Sequence, residues 1–162
     1  MLHVDIAPDD FHARYSAKGK TYSYRVVCGP VMSPFWFRYA IQESRRLDLD
    51  RIQRCAREFL GEHDWTAFSA AQSEVESRVR TITQLDIQRR LDLGRRSQLI
   101  EFTVSANGFL RYMVRSIAGT LMAVGRGEID QRTVERAIKE CDRSLVGPTA
   151  PAHGLTLVSV EY

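Results

Sequence analysis

Three stretches of this sequence bring chemistry-bearing side chains together. Asp10-Phe11-His12-Ala13-Arg14 sets a carboxylate, an imidazole and a guanidinium within five residues. Such a set suits proton transfer, but no serine or cysteine partner is defined beside it, so a structural His12 is the simpler expectation. Tyr22 and Tyr24 are two residues apart, which puts both rings on one face of a strand. Aromatic residues on strands usually fill a core, yet stacking platforms for unpaired bases have the same look. The third stretch runs from Asn107 to Arg115. If a helix begins at Phe109, Arg111 and Arg115 lie one turn apart and reach neighbouring anionic groups together. Asn107 and Gly108 would then stand at the helix entrance, where backbone donors face an anion. An ordinary amphipathic helix with a solvated arginine face is the competing expectation.

Those groups need elements to position them. Lys20 to Val27 is rich in aromatic and β-branched residues and reads as a strand ended by Gly29-Pro30. Ser33 to Tyr39 is an aromatic, irregular stretch. Ile52, Cys55, Ala56, Phe59 and Leu60 recur at helical spacing, with Asp48 as cap and Gly61 as stop. Val79, Thr81, Thr83, Leu85 and Ile87 alternate with polar residues, although Ile82 interrupts the polar set. Ile100, Phe102 and Val104 form the second arm of a hairpin whose turn holds Gly94-Arg95-Arg96. A long helix over 109–124 follows, with Phe109, Leu110, Met113, Val114, Ile117, Leu121 and Val124 on one arc and Arg111, Arg115 and Arg126 opposite. Val134, Ala137, Ile138 and Cys141 mark another helix, and Leu155 to Tyr162 a last strand. This mixed order predicts an α+β fold with a mostly antiparallel sheet flanked by helices.

Composition narrows the class. A chain of 162 residues, 44% hydrophobic and 27% charged, has the make-up of one soluble domain rather than a disordered or collagen-like one. No apolar run approaches the roughly 18 residues of a membrane-spanning helix, and the first residues do not read as a secretory signal. Of the 23 basic residues, 20 are arginine, although the net charge is only +3. Arginine forks match phosphate oxygens and stack on bases, but codon bias with solvated side chains explains such a count equally well. Cys28, Cys55 and Cys141 are odd in number and widely spaced, and the four histidines form no cluster with them. Buried free thiols, no metal and a reducing, cytoplasmic setting are expected.

Read together, five blocks resemble the bacterial-type tRNA pseudouridine synthases of the TruA kind. They are Pro8 to Ala17, Tyr22-Ser23-Tyr24, Leu60 to Phe68, Ala106 to Arg115, and Ala150 to Leu155, in matching order across nearly the whole chain. The resemblance implies a pseudouridine synthase-like fold and isomerisation of uridine to its C5-linked isomer in the tRNA anticodon stem-loop, without cofactor or metal. It also implies a homodimer, for which Phe35-Trp36-Phe37 is a candidate contact, with covering of the core as the equal alternative. By the same resemblance, Arg115 matches the arginine that pairs with the family's essential aspartate. Tyr22 matches the tyrosine that packs on the target base and is a candidate for taking the C5 proton. Leu155 matches the apolar residue lining the other side of the pocket. Arg14 and Arg111 would serve tRNA phosphates, with Phe109 and Asn107 beside them in the same block; position 111 departs from the histidine of some relatives.

The family's aspartate lies in a Gly-Arg-Thr-Asp-x-Gly-Val-His block, and the 162 residues contain no such block. Asp5, Asp9 and Asp10 lack its context. The chain is therefore expected to be the carboxyl-terminal portion of the enzyme and inactive alone. The alternative is a naturally short, non-catalytic module that grips tRNA through Arg14, Arg111 and Arg115.

Overall fold

The computed structural model describes residues 6–72, 75–92 and 97–162. Among the described residues, nine α-helices and strands follow one another as β1 (Gly19–Cys28), β2 (Ile41–Glu43), α1 (Leu49–Ala56), β3 (Gly61–Asp64), β4 (Val79–Asp92), β5 (Gln98–Ala106), α2 (Met113–Gly125), α3 (Gln131–Lys139) and β6 (Leu155–Glu161). The strands form one sheet in the order β2-β1-β5-β4-β3, with β6 also on β1. β1 is its spine. One edge pairs with β5 from Lys20 to Cys28; the other is shared by antiparallel β6 along Gly19 to Tyr24 and parallel β2 along Val26 to Cys28. The remaining pairs are antiparallel, so the fold is the expected α+β with a mostly antiparallel sheet.

Local chemistry explains the shorter helices. Asp48 caps α1 by accepting from the Arg51 amide at 3.0 Å, and the helix buries Ile52, Cys55 and Ala56. A single tighter turn then buries Phe59, and Leu60 leaves the helical path in extended geometry and is exposed. Asp130 caps α3 in the same way through the Thr133 amide, and the helix buries Val134, Ala137 and Ile138. Cys141 lies beyond its end, at a left-handed φ of 54°. Only Cys55 of the three thiols is buried; Cys28 and Cys141 are half-buried, contrary to expectation.

The sheet face that holds Tyr24, Val26, Leu85, Ile87, Ile100, Phe102 and Val104 packs on the helices. The predicted inward set of β4 changes phase once. The register shifts between Ile82 and Gln84, so Ile82 is buried while Thr83 points out. A bulge of this kind admits an extra residue and flips the alternation beyond it. The hairpin is as expected, and its Gly94-Arg95-Arg96 link lies outside the described residues. On the other face Trp36 and Met32 cover Val27, Ala40 and Leu99, leaving Phe35 and Phe37 exposed.

The largest departure concerns the long helix. It starts at Met113, not Phe109, because Tyr112 adopts φ 68°, ψ −4°, a left-handed conformation that cannot propagate a right-handed helix. Nor is it amphipathic: every residue of α2 is buried except Arg115. A helix apolar on all sides belongs inside a domain. Arg111 therefore precedes the helix, and the expected Arg111, Arg115 and Arg126 stripe does not exist. Arg126 is instead turned inward, its side chain 8% exposed and paired with Glu43 and Glu128.

Candidate functional site

The amino end of α2, the end of β1 and the 147–155 segment converge. Close approach makes this possible. A Cβ on Gly119 would sit 1.8 Å from the Pro148 carbonyl oxygen, so only glycine lets the segment lie on the helix. Thr120 donates to the Ser116 carbonyl at 2.8 Å and accepts from the Gly147 amide at 3.1 Å, fastening the contact. The Ala150 amide donates to the Arg115 carbonyl at 3.1 Å, and Arg115 Nε donates back to the Ala150 carbonyl at 2.7 Å. Arg115 is thus held at both its backbone and its side chain. Tyr24 closes the wall by donating its hydroxyl to the Pro151 carbonyl at 2.7 Å. Burial pushes the Tyr24 phenol well above its ordinary value, and the nearby Arg115 charge partly offsets this, so Tyr24 is a neutral donor.

Tyr22 stands on the same face as Tyr24, two residues nearer the start of β1. Its ring meets Phe109 edge-on at 5.1 Å, which fixes the orientation of both. Across the β1–β6 ladder Leu155 pairs with Tyr24 and Leu157 with Tyr22, so Leu155 is a diagonal same-face neighbour of Tyr22. Tyr22, Phe109 and Leu155 are all partly buried against the main core, each leaving some ring or methyl surface open.

Arg111 and Arg115 do meet, through an intermediary and not on a shared helix face. The guanidinium groups of Arg111 and Arg115 lie 4.9 Å and 5.0 Å from the Tyr112 ring centroid, and Arg111 Nη2 also donates to the Tyr112 hydroxyl at 3.1 Å. Nothing in the residue pattern foretold Tyr112, since its role depends on the left-handed turn. Among the described residues neither arginine forms an ion pair with a carboxylate.

The other expected site residues lie further out. Asn107 closes the sheet rather than a helix: its amide donates to the Thr81 carbonyl and its Oδ1 accepts from the Thr81 amide at 3.0 Å. Arg14 is exposed and packs on Tyr15 in the segment ahead of β1. That segment is tied to β6 by the Phe11–Tyr162 ring contact and by the Tyr162 hydroxyl donating to the Ala13 carbonyl. His12 Nδ1 accepts from the Arg14 and Tyr15 amides at 3.1 and 3.3 Å, which holds a turn. No group of three or more His, Cys, Asp or Glu suited to a metal occurs among the described residues.

One end of this α+β sheet thus groups Tyr22 with Phe109, and Tyr112 with two arginines that pair with no carboxylate among the described residues. The profile of a family described as tRNA pseudouridine synthase matches residues 55–162, and this chain belongs to that family. Over all 162 residues it is 37% identical to tRNA pseudouridine synthase A of Streptococcus suis, and it covers 64% of that protein. It is 38% identical to tRNA pseudouridine synthase A 1 of Desulfotalea psychrophila over its full length, covering 65% of it. A third relative, from Acetivibrio thermocellus, is 40% identical over 94% of the chain. The chain thus spans somewhat less than two thirds of the length of these relatives.

Proposed function

We propose that this chain supplies one wall of the uridine pocket of a tRNA pseudouridine synthase, corresponding to the carboxyl-terminal portion of that enzyme. The observation that carries the reading is Arg115, fixed by Ala150 and Tyr112 and near enough to Tyr24 to act on its phenol, with no carboxylate of its own among the described residues. A buried-edge guanidinium in that state calls for an anion: in the complete enzyme the family's aspartate is that anion, and in these 162 residues alone, which lack its block, Arg115 meets the RNA backbone instead. Tyr22, steadied by Phe109, packs on the extruded base and takes the proton from C5. Leu155 lines the opposite side. Arg111 and Arg14 meet phosphates, with Asn107 holding the end of the sheet beneath them. The base must leave its stack to enter such a pocket.

Because the Gly-Arg-Thr-Asp block is absent from these 162 residues, the isolated chain binds tRNA without converting it. In the complete enzyme we place it in a cytoplasmic homodimer. The exposed Phe35 and Phe37 support the dimer, and the three free thiols support a reducing compartment. No helix among the described residues is long and apolar enough to cross a membrane. Tritium release from 5-tritiated uridine in unmodified tRNA, followed by mass spectrometry, tests the reading. Binding without turnover is expected; turnover by the purified chain contradicts the missing nucleophile, and absence of any tRNA binding contradicts the substrate.

A further inference from the structure

A second concavity lies directly behind Tyr112. It has a volume of about 620 Å³, and Arg78, Arg143, Ser69, Thr149 and Tyr112 are among its lining residues. Three stretches make it: Thr66 to Ala71 with Arg78, Tyr112 with Ser116, and Cys141 with Arg143 and Thr149. The Ala70 amide donates to the Arg111 carbonyl at 3.0 Å, which fastens Ala70 to the turn before α2.

Both arginines are aimed without being neutralised. Arg78 donates to Ser69 Oγ at 3.2 Å and to the Ala71 carbonyl at 2.8 Å. Arg143 donates to the Ala67 carbonyl at 3.0 Å, to Ser116 Oγ at 3.3 Å and to Thr149 Oγ1 at 2.9 Å. Carbonyl and hydroxyl acceptors orient a guanidinium fork but leave its charge whole, and each fork retains donors beyond those used. Among the described residues neither arginine pairs with a carboxylate. Of the carboxylates nearby, Asp142 accepts from the Ser144 amide at 2.8 Å, Asp64 directs one oxygen at the Thr66 amide and hydroxyl at 2.8 and 2.6 Å, and Glu76 forms no ion pair among the described residues. Two pre-aimed, uncompensated guanidinium groups on one cavity form an anion site.

We propose that this cavity seats a backbone phosphate of the RNA, with its sugar, from a nucleotide flanking the one in the uridine pocket. The volume suits a nucleotide-sized group better than a bare ion. Tyr112 is the shared partition: its ring touches Arg115 of the pocket wall and also lines the cavity. A strand held there enters the pocket from a fixed side, which makes Arg78 and Arg143 positioning residues. The inference rests on the tRNA reading above.

The test uses the 162-residue chain, inorganic phosphate and an unmodified anticodon stem-loop RNA, with amide NMR shifts and fluorescence anisotropy as readouts. Phosphate and RNA should both shift Ala70, Ala71 and Thr149 saturably. Arg78→Gln should weaken the RNA roughly tenfold and lower the slope of log affinity against log salt by about one, at an unchanged melting temperature. Arg143→Lys, which keeps charge but loses the fork, should weaken it less. A folded Arg78→Gln chain with wild-type affinity and slope overturns the proposal. RNA binding that leaves the three amides unmoved overturns the cavity while the tRNA reading stands. Phosphate shifts with no RNA binding overturn the tRNA reading itself, and with it the ligand named here.

Discussion

At the carboxyl end of α2, Arg126 donates to Glu43 at 3.0 Å and to Glu128 at 2.7 Å, and Arg45 bridges the same two carboxylates. At the amino end, Arg115 donates to a carbonyl and rests on a tyrosine ring. Two arginines at opposite ends of one buried helix thus meet opposite electrostatic fates. Arg126 is neutralised by carboxylates of its own chain, although its buried Nε has no hydrogen-bond partner among the described residues, and it fastens β2 to the turn after the helix. Arg115 is oriented by its own chain and left to be neutralised by something else. The presence of an arginine says little about function; whether its charge is already answered says a great deal.

The comparison breaks most visibly if the satisfied end is disturbed. Glu43→Ala leaves Arg126 buried with one carboxylate fewer, and a loss of about 3 kcal/mol is expected in denaturant unfolding. A loss well under about 1 kcal/mol would mean that this end is not held by ions. Gly119→Ala should cost about 2 kcal/mol, since the added methyl group meets the Pro148 carbonyl and the segment carrying Ala150 must shift. Amide shifts at Gly147 and Ala150 should report that movement, and unchanged stability and shifts would show that the contact is loose.

Acid titration should give a smaller, graded effect. Burial alone would raise the Glu43 carboxyl, but hydrogen bonds and charge from Arg45 and the Arg126 charge outweigh it and hold the group below its ordinary value. Glu128 is lowered chiefly by its hydrogen bond from Arg126. A carboxylate depressed in the folded state contributes stability that is complete above its unfolded value, about 4.3, and is lost as pH falls through the folded one. Stability should therefore be flat above about pH 5 and decline below it, and Glu43→Gln should flatten the decline. An equally steep decline in that variant would assign the acid sensitivity elsewhere.

Much of the frame was legible in the residues. Aromatic and β-branched content marked β1, the Asp48 cap with apolar spacing marked α1, and apolar spacing alone marked α3, because these signals are local. The amino end of α2 was not legible. Phe109, Leu110 and Arg111 fit a helical wheel, yet the left-handed Tyr112 stops the helix short of them, and only tertiary contacts sustain that turn. Arg126 misled for a related reason: its partner Glu43 is 83 residues away. The candidate pocket residues were found by family resemblance to ordered blocks; periodicity alone favoured core packing and a solvated face. Arg78 and Arg143, reaching one cavity from separate loops, had no pattern to betray them.

The most direct test is tRNA binding by Arg115→Gln across a range of salt concentrations, with unfolding measured in parallel. If Arg115 carries an unanswered charge toward a nucleic acid, stability changes by less than about 1 kcal/mol, while affinity falls and the salt slope drops by about 0.7 to 0.9. An unchanged slope, or a stability loss as large as that of Glu43→Ala, would contradict the account and make Arg115 one more arginine already satisfied within its own chain.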